Sequence, residues 1–169
     1  RRMNAKQILD AHRRGIEIAS HAYYHDAQLT SKTDQEVHFE MAESKAKLAQ
    51  IVGSEVETIA IPFSAYDDRV RSIAMQYYKG VRVHSSELND IPPDDRYWLY
   101  SAIAAINTTT FDEIKAKIDQ AVTLGKWCII MMHGVLDAPE HELGTYYVTA
   151  ALLERVLGYI KTFDKDVLL

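Results

Sequence analysis

The chain has 169 residues, with 24 acidic against 19 basic side chains and a formal net charge of -5. That length suits one domain, and the acidic balance argues against nucleic acid as the main partner. An apolar fraction of 47%, a charged fraction of 25%, seven Gly and four Pro exclude disordered, collagenous and low-complexity classes, and a lone cysteine, Cys128, excludes an intrachain disulfide.

Taken in chain order, Ile8, Leu9 and His12 recur at helical spacing and predict a helix over 5–14 that stops at Gly15. Ile16 to Ser20 reads as a short strand. Thr33-Asp34-Gln35-Glu36 is a capping box, in which the first and fourth side chains each satisfy a backbone N–H of the opening turn. It opens a long helix through Val37, Met41, Ala46, Leu48 and Ile51 that ends at Gly53. Thr58 to Ile61 is an apolar strand stopped by Pro62. Asp67 or Asp68 caps the next helix, through Val70, Ile73, Ala74 and Tyr77. Gly80 to His84 is a strand, Ser85 to Arg96 a polar loop containing proline, and Leu99 to Ala105 a further strand. A second capping box, Thr110 to Glu113, opens a helix that stops at Gly125.

Trp127 to Met132 reads as a buried strand, apolar on both faces, with Cys128 an inert core thiol. Thr145 to Phe163 is a long helix, and Val167 begins a final strand. No run approaches the roughly 18 apolar residues of a membrane span. Residue 1 is Arg, and the last residues enter an apolar run and stop. The expectation is therefore a single domain over 1–169, truncated at both ends.

Strand and helix alternate, which calls for parallel strands joined by helical crossovers. The fold class is α/β. An open doubly wound sheet and a (β/α) barrel both satisfy the pattern, and in either one the active site lies at the C-terminal ends of the strands. Three strand ends carry candidate chemistry. Ser20-His21-Ala22-Tyr23-Tyr24-His25-Asp26 follows the first strand, Pro62-Phe63-Ser64-Ala65-Tyr66-Asp67-Asp68 the second, and His133-Gly134 the Trp127 strand.

His21 and His25 have metal-ligand character, since four-residue spacing sets two imidazoles on one side of a helical turn. Imidazole suits zinc and other late divalent metals. The competing reading is a pair of surface histidines. His133 suits a general acid or base, against a satisfied histidine at a strand end. His12 and His38 read as structural or solvated. His84 and His141 are candidates to line the site or touch ligand. Asp67 and Asp68 are most simply helix caps, and Asp26 either ligates metal or caps a turn. Tyr23, Tyr24, Tyr97, Trp98, Tyr146 and Tyr147 suit stacking on sugar rings or ordinary core.

Read together, these segments resemble the polysaccharide deacetylases with a NodB homology domain, carbohydrate esterase family 4. Gly15 to His25 is similar to that family's G-x-E-I-x-S-H-x-x-x-H stretch, Pro62 to Val70 to its P-[FY]-G-x-Y-D-x-x-V segment, and Ile129 to His133 to its late strand ending in histidine. The resemblance implies a distorted (β/α) barrel lacking its N-terminal strand, and hydrolysis of N-acetyl groups on amino-sugar glycans by metal-activated water. By carry-over His21 and His25 hold a divalent metal, with zinc the expected ion. The third ligand, an Asp, is expected upstream of residue 1, on the same missing stretch as the catalytic base. The metal polarises the acetamide carbonyl and acidifies water.

The backbone N–H of Phe63 is the oxyanion donor, His133 protonates the departing amine, and Tyr24 and Met131 contact substrate, Met131 standing where the family has a Leu at the acetyl-methyl pocket. The partner is an N-acetylated glycan, which implies a secreted or cell-envelope location. Two departures stand out besides the missing Asp. Ala60 replaces an Arg that orients the base in many members, and Ser64 replaces a Gly, although Ser adopts positive φ only at a cost. Two other readings compete: a catalytically inactive carbohydrate-binding barrel, and an O-acetyl xylan esterase using the same residues.

Overall fold

The computed structural model describes residues 3–137 and 144–163. His141 and the strand expected from Val167 lie outside the described residues. The chain divides into two compact units, Arg1–Val83 with Asp95–Leu99, and His84–Asp94 with Tyr100–Leu169.

In the first unit, α1 (Ala5–Arg13) starts at a capping box that was not foreseen: Asn4 accepts the Gln7 N–H, and the Gln7 side chain accepts the Asn4 N–H. Gly15 follows with φ 88°, the left-handed turn expected of a glycine stop. α2 (Asp34–Val52) opens at the Thr33/Glu36 capping box, with Glu36 Oε2 2.8 Å from the Thr33 nitrogen, and closes on Gly53 at φ 76°. Its inner stripe is Val37, Glu40, Met41 and Ser44, an i, i+3, i+4, i+7 face in which two of four residues are polar. β1 (Thr58–Ala60) pairs in parallel with β2 (Gly80–His84), Ile59 beside Val81 and Ala60 beside Arg82. Between them lies α3 (Asp68–Ala74), capped by Asp67, whose carboxylate accepts the Val70 N–H at 2.8 Å. Leu29, Val37, Met41, Ile59, Ile61, Val70 and Val81 are each no more than 1% exposed and form the core of this unit. Burying each side chain of this size stabilises by roughly 1.5–3 kcal/mol before entropy is counted.

The second unit pairs β3 (Leu99–Ala104) in parallel with β4 (Ile129–Met131), with a register shift between Ser101 and Ile103. α4 (Phe111–Leu124) opens at the Thr110/Glu113 capping box and ends at Gly125. α5 (Ala150–Ile160) is capped by Thr149. Ala105, Ile114, Ile118, Val148 and Val156 form the core, with Ile103, Phe111, Ile130 and Leu152 packed on it. Asn89 is buried and exchanges main-chain hydrogen bonds with Trp127 at 3.0 and 2.8 Å. Its side-chain amide also accepts the Tyr100 N–H at 2.7 Å and donates to the Tyr100 carbonyl at 2.8 Å.

Four expectations are corrected. Residues 16–20 do not form a strand: only Ser20 bridges to Ile59, while Ile16 stays 58% exposed, so one ladder step replaces a strand. The helix expected over 145–163 is shorter, because Val148 is spent on a parallel bridge to Val135 and Thr149 caps the helix after it. The helix after Asp67 ends at Ala74, short of Tyr77. The Trp127 run is half-buried rather than dry on both faces: Trp127 itself is 41% exposed, and only Ile129–Met131 pair as strand. Cys128 is half-buried, and burial pushes its thiol up, as expected of an inert cysteine.

Candidate active site

The loop 21–26 follows the Ser20 bridge. His21 and His25 do come together, with ring centroids 4.8 Å apart and planes tilted by 60°. The helical turn expected from their spacing is absent. Ala22 at φ 63° and His25 at φ 57° are left-handed, and these two bends fold the loop so that the rings meet. A left-handed L-residue costs roughly 1–2 kcal/mol, so something must hold the loop.

The holder is Glu40, on the inner stripe of α2. Its side chain is 2% exposed, and its Oε2 accepts the N–H of Tyr23 at 2.7 Å and of Tyr24 at 2.8 Å. Hydrogen bonds to a charged acceptor each stabilise by about 1.5–3 kcal/mol, enough to offset two left-handed residues. Lys32 neutralises the buried carboxylate at 2.9 Å and also meets Asp26 at 2.7 Å. The two carboxylates hold the Lys32 ammonium well above the ordinary lysine range, Asp26 contributing most, and Lys32 in turn lowers Asp26. Asp26 therefore serves as an ion-pair partner. One turn along α2, the Ser44 hydroxyl meets that of Ser20 at 2.7 Å.

His21 Nδ1 lies 2.7 Å from the Ala60 carbonyl. An acceptor there fixes the proton on Nδ1 and makes Nε2 the ring nitrogen that carries the lone pair, the usual tautomer of a metal-ligating imidazole. Both imidazoles are exposed. The donor chemistry and ring approach of this pair fit a divalent metal. Among the described residues no group of three His, Cys, Asp or Glu could hold a metal ion.

Phe63 stands against His25, ring centroids 4.7 Å apart. Pro62–Ser64 is a 3-10 turn, yet Phe63 has φ 57° and Ser64 φ 53°. The cost foreseen for Ser64 is thus incurred at two consecutive residues. The turn uses the N–H of Ser64 and Ala65 on Ile61 and Pro62 carbonyls. Ala60 pairs in register with Arg82, whose half-buried guanidinium is pulled down by desolvation. Tyr24 is exposed and stacks on Phe39, centroids 5.8 Å apart and 16° from parallel, with Tyr23 edge-on to both. A cavity of about 240 Å³ is lined by Tyr24, Gln35, Glu36, Phe39 and Glu40.

The first unit thus brings together His21, His25 and Phe63, with Tyr24 on the same loop. Met131 and His133 belong to the second unit. Met131 is half-buried in β4, and His133 is exposed two residues beyond it, its ring 5.0 Å from that of Tyr146. The other described histidines are engaged elsewhere: His12 with the Ser54 hydroxyl, His38 with the Tyr77 hydroxyl, His84 with the carbonyl and hydroxyl of Ser101. Tyr66 packs on Trp98 and donates to the Tyr97 carbonyl, and Tyr147 is 9% exposed, so these aromatics serve packing. Sequence reasoning missed Glu40, Lys32 and Ser44. The available signal was a carboxylate and a hydroxyl on an otherwise apolar helical stripe.

Residues 2–81 match the sequence model of the polysaccharide deacetylase family. That segment, just under half of the chain, resembles the polysaccharide deacetylases. A solved polysaccharide deacetylase from Bacillus cereus is 25% identical with TM-score 0.56, over 68% of this chain and 36% of its own. The chain therefore spans only about a third of that deacetylase's length. A family 4 carbohydrate esterase from Streptomyces lividans, solved with acetate, is 17% identical with TM-score 0.60, over 94% of this chain and 68% of its own. A family 4 pseudoenzyme from Bacillus anthracis is 14% identical with TM-score 0.55, over 94% of this chain and 46% of its own. Among curated proteins nothing matches. These likenesses bear out the deacetylase resemblance and the fold class expected from the sequence, the (β/α) barrel of parallel strands.

Proposed function

We propose that the protein is a metal-dependent hydrolase that removes N-acetyl groups from amino-sugar glycans. The observation that carries this reading is the His21/His25 pair, rings 4.8 Å apart, with His21 oriented by the Ala60 carbonyl. His21 and His25 are the chain's ligands for a divalent metal, zinc by the chemistry of imidazole, and the resemblance implies an Asp as the third. When bound, such an ion supplies Lewis acidity toward the acetamide carbonyl and toward water.

The chain's own groups do the rest. The backbone N–H of Phe63, in a turn bent away from the ordinary helical path, donates to the oxyanion that develops on the carbonyl. The exposed His133 imidazole delivers a proton to the departing amine, without which expulsion is slow. Met131 contacts the acetyl methyl. The Tyr24 ring, stacked on Phe39 beside a cavity of about 240 Å³, offers an apolar face to a pyranose. Its substrate class assigns the protein to the cell envelope or to the outside of the cell. Among the described residues no helix is long and apolar enough to cross a membrane.

The test is metal content measured alongside acetate release from N-acetylated glycans, with the full-length protein. Stoichiometric zinc, chelator-sensitive release, and loss of release in His21→Ala and His133→Ala are the expected results. Release that survives both substitutions overturns the proposal. A catalytically inactive glycan-binding barrel is the second reading, favoured by the presence of two rather than three clustered ligands among the described residues. Glycan binding without metal uptake or acetate release would establish it.

A further inference from the structure

Glu40 is the charged side chain in the buried set among the described residues, at 1% exposed. A carboxylate is a costly choice there, since burying a charge is unfavourable unless it is paired and hydrogen-bonded. Its helical neighbours Val37 and Met41 pack the same stripe without polar atoms. An apolar side chain would fill the position more cheaply if packing were its only task. What no apolar residue can do is accept two consecutive backbone N–H groups.

Glu40 Oε2 takes those of Tyr23 and Tyr24, at 2.7 and 2.8 Å, midway between His21 and His25. Lys32 completes the device. It neutralises Glu40 Oε1 at 2.9 Å and grips Asp26, the residue after His25, at 2.7 Å. The loop is thus held at its centre and just past its second histidine, while Ala22 and His25 carry the left-handed bends.

We infer that Glu40, braced by Lys32, is a positioning residue that sets the approach of the His21 and His25 imidazoles and so the affinity and geometry of divalent metal binding. This rests on the metal reading of that pair. Glu40 contacts the backbone of the loop and acts through it. A ligand set must be held within about 0.5 Å of its productive geometry, and outer partners of metal ligands typically account for 10–100-fold in affinity.

The experiment titrates zinc and cobalt(II) into the full-length protein and into Glu40→Asp, Glu40→Gln and Glu43→Gln. Glu40→Asp keeps the charge but shortens the arm by one methylene. Glu43→Gln removes the same charge as Glu40→Gln from an exposed site on the same helix. The expected result is a loss of zinc affinity of at least about tenfold, with an altered cobalt(II) visible spectrum, in both Glu40 variants and in neither respect for Glu43→Gln. Circular dichroism identifies any variant that fails to fold, and Glu40→Asp, which retains the negative charge opposite Lys32, keeps the test open if Glu40→Gln does not. Folded Glu40 variants with wild-type affinity and spectrum overturn the Glu40 assignment alone. A wild-type protein that takes up neither metal overturns the metal reading and this inference with it.

Discussion

Ala22 offers a direct measure of how the candidate site is held. It sits between His21 and Tyr23 at φ 63°, a conformation costing an L-residue roughly 1–2 kcal/mol. Ala22→Gly removes that cost but gives the unfolded chain extra freedom, worth about 0.4–1 kcal/mol. The net expectation is a gain of about 0.5–1 kcal/mol, which in a chain of this size raises Tm by about 1–4 °C. Ala46→Gly is the matched control. Ala46 is exposed within α2, where the same exchange costs about 1 kcal/mol. Urea and thermal denaturation followed by circular dichroism read both. Zinc affinity of Ala22→Gly moves the other way, because a loop relieved of its bend lets the two imidazoles wander. If Ala22→Gly destabilises as much as Ala46→Gly, the strain argument for this loop is wrong.

Three further outcomes follow from the packing and the charges. Thr110→Ala, which removes the cap of α4, lowers stability by about 1 kcal/mol; an unchanged urea midpoint would contradict the capping-box assignment. Ile114→Ala, in the core of the second unit and 0% exposed, costs about 2–5 kcal/mol, and a loss below about 1 kcal/mol would mean that the core closes around the gap. Folding also lowers the carboxyl pKa of Asp26 through Lys32, of Glu36 through the Thr33 hydroxyl, of Glu113 through the Thr110 N–H and of Asp119 through Lys115. Since the folded values lie below the ordinary 3.8 and 4.5, this stabilisation is present above those values and is lost as pH falls through the lowered ones. Melting temperature should therefore hold down to about pH 5 and then fall. Glu113→Gln should flatten part of that fall, and an identical acid profile would remove Glu113 from the account.

Where structure was written in short-range chemistry, the sequence was legible. Thr33 with Glu36, Thr110 with Glu113, and the glycines at 53 and 125 each announce a helix end through hydrogen bonds or dihedrals settled within a few residues. β2 was found at its observed bounds because Gly80 to His84 alternates clearly. Residues 16–20 and 145–149 misled because apolar content does not reveal whether a ladder partner is in reach. His21 and His25 were found by residue type, but for a reason that fails: their spacing suggested a helical turn, and two left-handed residues supply the geometry instead. Glu40 was invisible because its meaning depends on amides sixteen and seventeen residues away, a separation that no local pattern encodes.

Asn89 has a different kind of consequence. Its side-chain amide offers Tyr100 one donor and one acceptor in a plane, while its own main chain bonds Trp127. It is in effect a spare peptide group, grafted onto the backbone and read by β3 as though another strand had begun. Few replacements can imitate that. Aspartate is the same shape without the donor, and glutamine presents the same plane a methylene too far out. The slow loss of ammonia by which asparagines age would thus turn a sewn seam into a facing pair of oxygens, the new carboxylate against the Tyr100 carbonyl. In this unit the chemical lifetime of one amide bond and the integrity of a strand edge are the same quantity.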